Sequence, residues 1–316
     1  MKRRQLIQFA GLGSVSLLVV ARDRTPLSTV TQLVDRNYFS LETFEFDVAT
    51  VNKAGKIKRS QIHTARFFSE PFNASERLEM VEIAPGNFWM GASKTESSTK
   101  SYEAPRHRVS IPSFFMSKFP VTQSQWTAVA ALPKINHDLP AEPSHFQGGD
   151  LPVESVSWLE SMEFCDRLSQ HTGRRYQLPS ESQWEYACRA GTQTPFHTGE
   201  TIASQFANYV GTYTYQAEAA GEYRQATVPV GSYQPNVFGL HDMHGNVWEW
   251  CADAWHRNYR GSPKNGEAWS HPRPTQMRAI RGGGWLDAPN SIRSASRSGY
   301  IETALNRTIG FRVAVA

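Results

Sequence analysis

Three cysteines and one close pair of histidines are the side chains of this chain that could do redox or metal chemistry. Cys165, Cys188 and Cys251 form no Cys-x-x-Cys pair, and an odd number cannot all be joined in disulfides. His241 and His244 are spaced as His-x-x-His, but zinc takes three or four nitrogen or sulfur ligands, and only Cys251 is near in sequence. These residues therefore predict neither a zinc site nor a disulfide framework, and we expect the cysteines to be small buried hydrophobes.

Three short helices are predicted from capping signals, and two of them carry cysteines. Each helix begins at a hydroxyl residue that is followed three positions later by Glu or Gln, so that two backbone amides are satisfied reciprocally. The middle helix turns Phe164 and Leu168 inward and ends at Gly173, and the last one ends at Gly191. Beyond that point the sequence predicts only short aromatic strands and turns. The capping pairs are Thr122 with Gln125, Ser157 with Glu160, and Ser180 with Gln183.

The composition is typical of an ordered globular protein and argues against a nucleic-acid binder. Charged residues make up 20% and aromatic residues 12% of the 316 positions, which fits a packed, loop-rich chain. The net charge of +4 is modest, and no dense run of Lys and Arg follows the first few residues. We therefore expect an α+β fold with much irregular backbone and no nucleic-acid partner.

The first residues have the layout of an export signal. Arg3 and Arg4 precede an uncharged stretch from Phe9 to Ala21, and charge returns at Arg22, as in a twin-arginine signal. The apolar run is shorter than the ~20 residues that span a bilayer, and no A-x-A cleavage site follows, which leaves retention as a membrane tether open. We expect an exported protein, periplasmic or membrane-anchored. An ordinary amphipathic start with an accidental Arg pair is the alternative.

The sequence divides into three parts. Residues 1–35 hold the signal or anchor segment and a polar linker, residues 36–77 form a β-rich N-terminal extension, and residues 78–316 form the main domain. Within the extension, alternation from Phe44 to Val48 predicts strands, with a turn at residues 53–56.

From about Leu78 to Val313 an ordered series of motifs resembles the formylglycine-generating enzyme, or sulfatase-modifying-factor, family. Each motif alone is weak, but the whole series in order is specific. The resemblance implies an enlarged C-type-lectin-like fold with much irregular structure. The motifs are Gly86–Gly91, Glu103–His107, Pro120–Thr122 ahead of Trp126, Pro152–Val153 ahead of Val156–Trp158, Leu178–Glu181 ahead of Trp184–Tyr186, Gly245–Trp250, Arg281–Gly283 and Gly310–Arg312.

The residues that the family's oxidation chemistry needs are missing. Oxidases of the family hold copper with two cysteine thiolates just after the Arg-Gly-Gly motif, a soft pair suited to Cu(I). Asp287 stands where the first thiolate is expected, and no cysteine follows Cys251. A second branch forms sulfur–carbon bonds with iron held by a His-x3-His-x-Glu run, which this sequence lacks. We expect a non-catalytic protein without copper; a formylglycine-generating oxidase or another redox enzyme on the same scaffold is the alternative.

The C-terminal stretch resembles the variable region of the target proteins of diversity-generating retroelements. It carries a spaced frame of Arg281–Gly283, Trp285, Arg293, Arg297 and Ile309–Val313. In those proteins the frame holds the backbone while the intervening side chains face a ligand, which implies that this chain binds an unknown protein or glycan. An ordinary surface loop is the alternative. The implied ligand-binding positions are Leu286, Asp287, Asn290, Ser291, Ile292, Ser296, Ser298, Tyr300, Asn306 and Thr308.

Four arginines recur in and beside this frame, at positions 281, 293, 297 and 312. A guanidinium group has five donors in a fixed fork and can tie together the carbonyls of irregular backbone. We expect this structural role rather than anion binding.

Two structural calcium sites are also implied by the resemblance, because the lectin-like core of the family commonly holds calcium. Carboxylates interleaved with backbone carbonyls are the ligands that this hard cation takes. The alternative is that Asp242 and Glu249 are turn and capping residues. The first set comprises Asn208, Tyr209, Glu222 and Arg224, and the second comprises Asp242, Gly245, Val247 and Glu249.

Overall fold

The structure is a computed structural model that describes residues 40–271 and 275–315 of the chain. The residues from Leu41 onward form one compact unit. The predicted signal segment, residues 1–35, lies outside the described residues, so that export and tethering stay predictions. In the described part, no helix has both the length and the apolar character that crossing a bilayer requires.

Short strands dominate the described elements, and their mixture with helices confirms the predicted α+β class. Long irregular segments separate the last helix from the C-terminal strands. The strands are β1 (Glu42–Val51), β2 (Ile57–Pro71), β3 (Arg77–Ile83), β4 (Gly86–Met90), β5 (His107–Ile111), β6 (Phe114–Ser117), β7 (Tyr176–Gln177), β8 (Trp248–Ala254), β9 (Met277–Arg281), β10 (Arg297–Ile301), β11 (Ile309–Gly310) and β12 (Ala314–Val315). The α-helices are α1 (Gln123–Ala130), α2 (Trp158–Thr172) and α3 (Glu181–Arg189).

The largest sheet joins the N-terminal extension to the main domain. Its strand order is β1-β2-β3-β6-β12-β7, and β1 and β2 form the hairpin that the alternation predicts. The ladder between β2 and β3 runs from Phe67 opposite Val81 to Pro71 opposite Arg77. Backbone hydrogen bonds therefore continue one sheet across the predicted boundary between residues 77 and 78, and the predicted extension forms part of this sheet.

All three helices begin where their capping signals predict. The hydroxyls of Thr122, Ser157 and Ser180 each accept from the amide three residues on, at 3.2, 3.2 and 3.1 Å. In each case the Gln or Glu side chain accepts in return from the amide of the cap residue. Gly173, in a left-handed conformation, caps the C-terminus of α2 as predicted. Ala190 caps α3, one residue before the predicted Gly191.

A four-stranded sheet of order β10-β9-β8-β11 carries the C-terminal motifs. Strand β8 pairs antiparallel with β9 and parallel with β11, which places Trp248 opposite Ile309. Trp250 of β8 and Trp184 of α3 are completely buried. The loop that follows the Arg-Gly-Gly motif joins β9 to β10 in this sheet.

Candidate ligand-binding site

The loop between β9 and β10 starts at a tight glycine turn. Gly282 and Gly283 have φ angles of +94° and +71°, and a Cβ on Gly283 would collide with the side chain of Ile292. Just after the turn, Trp285 is 3% exposed, and its indole N–H donates to the carbonyl of Arg307 at 3.2 Å. The turn and this tryptophan therefore fix the start of the loop against the segment that leads into β11.

An open concavity of about 320 Å³ lies where this loop meets the four-stranded sheet. Its sheet-side walls are Trp248 of β8, Ile280 of β9 and Ile309 of β11. The structure brings most of the predicted ligand-binding positions together around these walls. Those that line the concavity are Leu286, Asp287, Ser298, Tyr300, Asn306 and Thr308.

Hydrogen bonds order the polar side chains of the concavity. Oδ2 of Asp287 accepts from the indole N–H of Trp248 at 2.8 Å and from the amide of Gly284 at 3.0 Å. Burial raises the pKa of this carboxyl group. On the opposite side, the amide of Asn306 donates to the hydroxyl of Tyr300 at 2.9 Å, while its Oδ1 accepts from the hydroxyl of Thr308 at 2.8 Å.

The prediction of exposed binding positions is wrong for Ile292 and Ser296. Ile292 is completely buried in an apolar cluster, and Ser296 is 6% exposed. Apolar contacts bury Ile292, whereas the ion pairs of Arg293 and Arg297 hold the polar residues on either side of Ser296 inward. The remaining two predicted positions, Asn290 and Ser291, are half-buried and do not line the concavity.

Buried ion pairs hold the frame below the concavity. Arg293 pairs with Glu96 and with Glu103, the latter at 2.7 Å, and all three side chains are about 1% exposed. It also donates to the carbonyl of Asn290 at 2.8 Å. Burial raises the pKa of Glu96, although the charge of Arg293 opposes this shift. The loop around Glu96 is thereby joined to the predicted ligand-binding loop.

A second buried cluster joins α3 to β9 and β10. Arg281 donates to Glu185 at 2.6 Å and to Glu181 at 3.1 Å, and Arg297 binds both carboxylate oxygens of Glu181. Arg189 also pairs with Glu185, at 2.8 Å. The predicted role of the frame arginines is confirmed, because each of the four donates to at least one backbone carbonyl. Buried carboxylates are their additional partners. These glutamates were not predicted from the sequence; the only signal for them was the presence of four arginines in one frame, because buried arginines need acidic partners.

A family model described as a sulfatase-modifying factor enzyme 1-like domain matches residues 68–316. The chain belongs to the sulfatase-modifying-factor family. Among its relatives, the serine/threonine-protein kinase pkn1 of Chlamydia caviae is 30% identical over 258 residues, which make up 75% of this chain and 38% of the relative. The chain thus spans little more than a third of that relative, and the likeness concerns the shared domain alone.

Two solved structures confirm the predicted enlarged C-type-lectin-like fold of this family. The structure of PvdO from Pseudomonas aeruginosa is 32% identical, has a TM-score of 0.68, and covers 78% of this chain and 97% of its own. Treponema denticola variable protein 1 is 23% identical, with a TM-score of 0.65 and coverage of 79% and 98%. The second likeness shows the fold alone.

The calcium sites implied by the sulfatase-modifying-factor resemblance fit the structure in part. Each set contains one buried side-chain oxygen without a hydrogen-bond partner among the described residues, Oδ1 of Asn208 and Oδ1 of Asp242. Free oxygens of this kind suit a hard cation. Asn208 also forms a backbone bridge with Gly245, so the two sets adjoin.

The acidic members of the two sets have other partners. Glu249 accepts from the guanidinium of Arg312 at 2.7 and 2.8 Å and from the indole of Trp184 at 2.6 Å. Glu222 is 63% exposed and pairs with Arg224 at 2.8 Å. Within residues 40–271 and 275–315, no three His, Cys, Asp or Glu side chains converge as a metal cluster. Tyr209 and Val247, which were expected to offer carbonyl oxygens, are buried.

The cysteines of this family member lie inside the protein and away from the concavity. All three are buried and free, and burial raises the pKa of each thiol, that of Cys188 to about 12. None of them lines the concavity, where Asp287 occupies the position that the resemblance gives to the first thiolate. The two histidines also have backbone partners, because Nδ1 of His241 contacts the carbonyl of Tyr233 and Nδ1 of His244 contacts that of Ile292.

Proposed function

We propose that this chain is an exported, non-catalytic member of its family that binds a protein or glycan ligand in the concavity beside β8 and β10. The observation that carries the proposal is that six of the predicted display positions line this one open surface. The frame residues Trp285, Arg293 and Phe311 are buried beneath it. Binding residues usually sit where a rigid scaffold holds them, and the buried frame supports the proposal in this sense.

The chemistry of the lining supports binding rather than oxidation. Ser298 offers a polar group, and Tyr300 gives a large contact area with little conformational entropy to lose. Asp287 is a hard oxygen ligand and cannot replace a thiolate in a Cu(I) pair. The proposal therefore excludes the formylglycine-generating reaction. The layout of the first residues supports export.

Calcium belongs to the proposal as a structural ion. The free oxygens of Asn208 and Asp242 support it, and the carbonyls of Gly245 and Val247 are the further ligands that the family resemblance supplies. A bound cation there would neutralise buried oxygen atoms and stabilise the segments that lead into β8.

An array of glycans and peptides tests the binding function. The purified protein is compared with the double variant Leu286→Ala/Tyr300→Ala, which truncates the two largest side chains among the predicted ligand-binding positions of the concavity. The matched control is Leu305→Ala/Tyr213→Ala, because both residues are 61% exposed and neither lines the concavity. We expect array ligands that bind the wild type and the control equally but the concavity variant at least about tenfold more weakly, since truncated binding hot spots cost at least ~1.4 kcal/mol.

Thermal melting of each variant checks that the fold is retained. Array ligands that bind all three proteins alike, or an array without any bound ligand, would overturn the proposal.

A further inference from the structure

Asp287 is a carboxylate without a cationic partner in the described part of the chain. Its Oδ2 accepts two hydrogen bonds, whereas its Oδ1 accepts none from the described residues and is not sealed from solvent. The residues that line the concavity include no Lys, Arg or His. This contrasts with the buried glutamates at positions 96, 103, 181 and 185, each of which faces an arginine.

The backbone around Asp287 holds this carboxylate in place. Its amide donates to the carbonyl of Gly284 at 3.0 Å, and its own carbonyl accepts from the amide of Val210 at 2.9 Å. Burial raises the pKa of the carboxyl group, and no nearby positive charge opposes that shift. The free oxygen is thus a fixed, half-buried acceptor that lacks a counter-charge.

The walls of the concavity combine aromatic and aliphatic surfaces. Trp248 and Tyr300 provide rings, and Leu286, Ile280 and Ile309 provide alkyl groups. Aromatic rings attract cations, and the stem of a lysine side chain packs along apolar surface while its ammonium group keeps polar contacts.

The polar groups of the opposite wall largely satisfy each other. Asn306 donates to Tyr300 and accepts from both the amide and the hydroxyl of Thr308. Few free donors and acceptors then remain for the several hydroxyls of a sugar ring. A single carboxylate is also too few oxygen ligands for a metal such as calcium, which takes six to eight.

We propose that the concavity binds a lysine side chain of a protein ligand, with Oδ1 of Asp287 accepting from the ammonium group and the apolar walls holding the alkyl stem. This inference rests on the proposed function, because it names the ligand chemistry that the same concavity takes. The hydrogen bond is charge-assisted, and its loss is expected to weaken binding by at least about tenfold.

Ligand-observed NMR titration with two small probes tests the inference. Nα-acetyl-lysine methylamide carries the ammonium group, and Nα-acetyl-norleucine methylamide carries a neutral alkyl side chain. Asp287→Asn removes the charge but retains an acceptor for Trp248 and Gly284. The control is Asp150→Asn, the same substitution at an exposed position away from the concavity.

We expect the lysine probe to bind the wild type and the control at least about tenfold more tightly than the norleucine probe, and Asp287→Asn to remove this preference. Equal binding of the two probes by the wild type, or an unchanged preference in Asp287→Asn, would overturn the inference. Protonated glucosamine, tested at pH 6.5, is the sugar arm; if it binds as tightly as the lysine probe and depends on Asp287, the assignment to lysine is wrong.

The two proposals fail in distinguishable ways. If array ligands depend on Leu286 and Tyr300 but the lysine probe does not bind, the lysine inference fails and the binding function stands. If nothing bound depends on those two residues, both fail.

Discussion

Replacement of Arg293 by Met tests whether buried charge holds the frame. The substitution keeps a long apolar side chain but leaves Glu96 and Glu103 buried without their counter-ion. Removal of one partner from a buried ion pair costs about 3–5 kcal/mol. A second route gives a similar figure, because a carboxyl group with an ordinary pKa of 4.5 that must be protonated in the folded state at pH 7 costs about 3 kcal/mol.

The free energy of unfolding is measured by urea denaturation followed through tryptophan fluorescence. Arg66→Met is the matched control, since Arg66 also pairs with a glutamate but its side chain is 58% exposed. Exposed ion pairs contribute about 0–1 kcal/mol to the free energy of unfolding, so Arg66→Met should be almost as stable as the wild type. The triple variant with Glu96→Gln and Glu103→Gln should recover part of the loss, because no buried charge is then unpaired.

The decrease in the free energy of unfolding caused by Arg293→Met should also depend on pH. In the variant, burial without the arginine raises the pKa of Glu96 in the folded state above its unfolded value. Proton binding then favours the folded state, so the deficit relative to wild type should shrink as the pH falls from 7 to 5, toward the unfolded pKa of 4.5. If Arg293→Met lowers the free energy of unfolding at pH 7 by less than about 1 kcal/mol, as the Arg66 control does, buried charge at Arg293 does not hold the frame.

Two further predictions concern metals. Purified protein supplied with copper, oxygen and a cysteine-containing sulfatase peptide should leave the thiol unchanged, and a mass loss on the peptide would contradict the non-catalytic assignment. The wild type should melt at a higher temperature in calcium than in chelator, because calcium at 100 times its dissociation constant stabilises the folded state by about 2.7 kcal/mol. Asp242→Asn should remove this difference. Equal melting temperatures in the two buffers would argue against calcium; Glu249→Ala is unsuitable here because it also unpairs the buried Arg312.

Local signals in the sequence were sufficient for the elements that local interactions determine. The capping pairs at Thr122, Ser157 and Ser180 predicted the helix starts because a capping box is formed by residues three positions apart. The hairpin of β1 and β2 was equally readable, since alternation and a turn are properties of neighbouring residues. The family motifs supplied the fold, which short-range patterns could not have done.

The buried acids were not readable because their partners lie far away in sequence. Glu96 and Glu103 face Arg293 across nearly two hundred positions, and Glu181 faces Arg297 across more than a hundred. A glutamate in a polar stretch of sequence is usually expected to face solvent, so nothing in the sequence around Glu96 indicated that it is buried. Ser296 was wrongly predicted to be exposed for the same reason. It is buried because the arginines on either side of it, at positions 293 and 297, form ion pairs with acids that are distant in sequence.

The contacts that hold the backbone around the concavity are largely separate from the side chains that line it. The frame is held by ion pairs below the loop and by Trp285, and few of these contacts involve Leu286, Ser298 or Tyr300. Substitutions at those three positions should therefore alter the ligand more than the stability. Asp287 is different, because its carboxylate bonds to both Trp248 and the glycine turn. In the proposed site, Asp287 would therefore make the same contact with each ligand, because its carboxylate is held in place while one oxygen faces the concavity. The side chains at the other positions could differ without moving it.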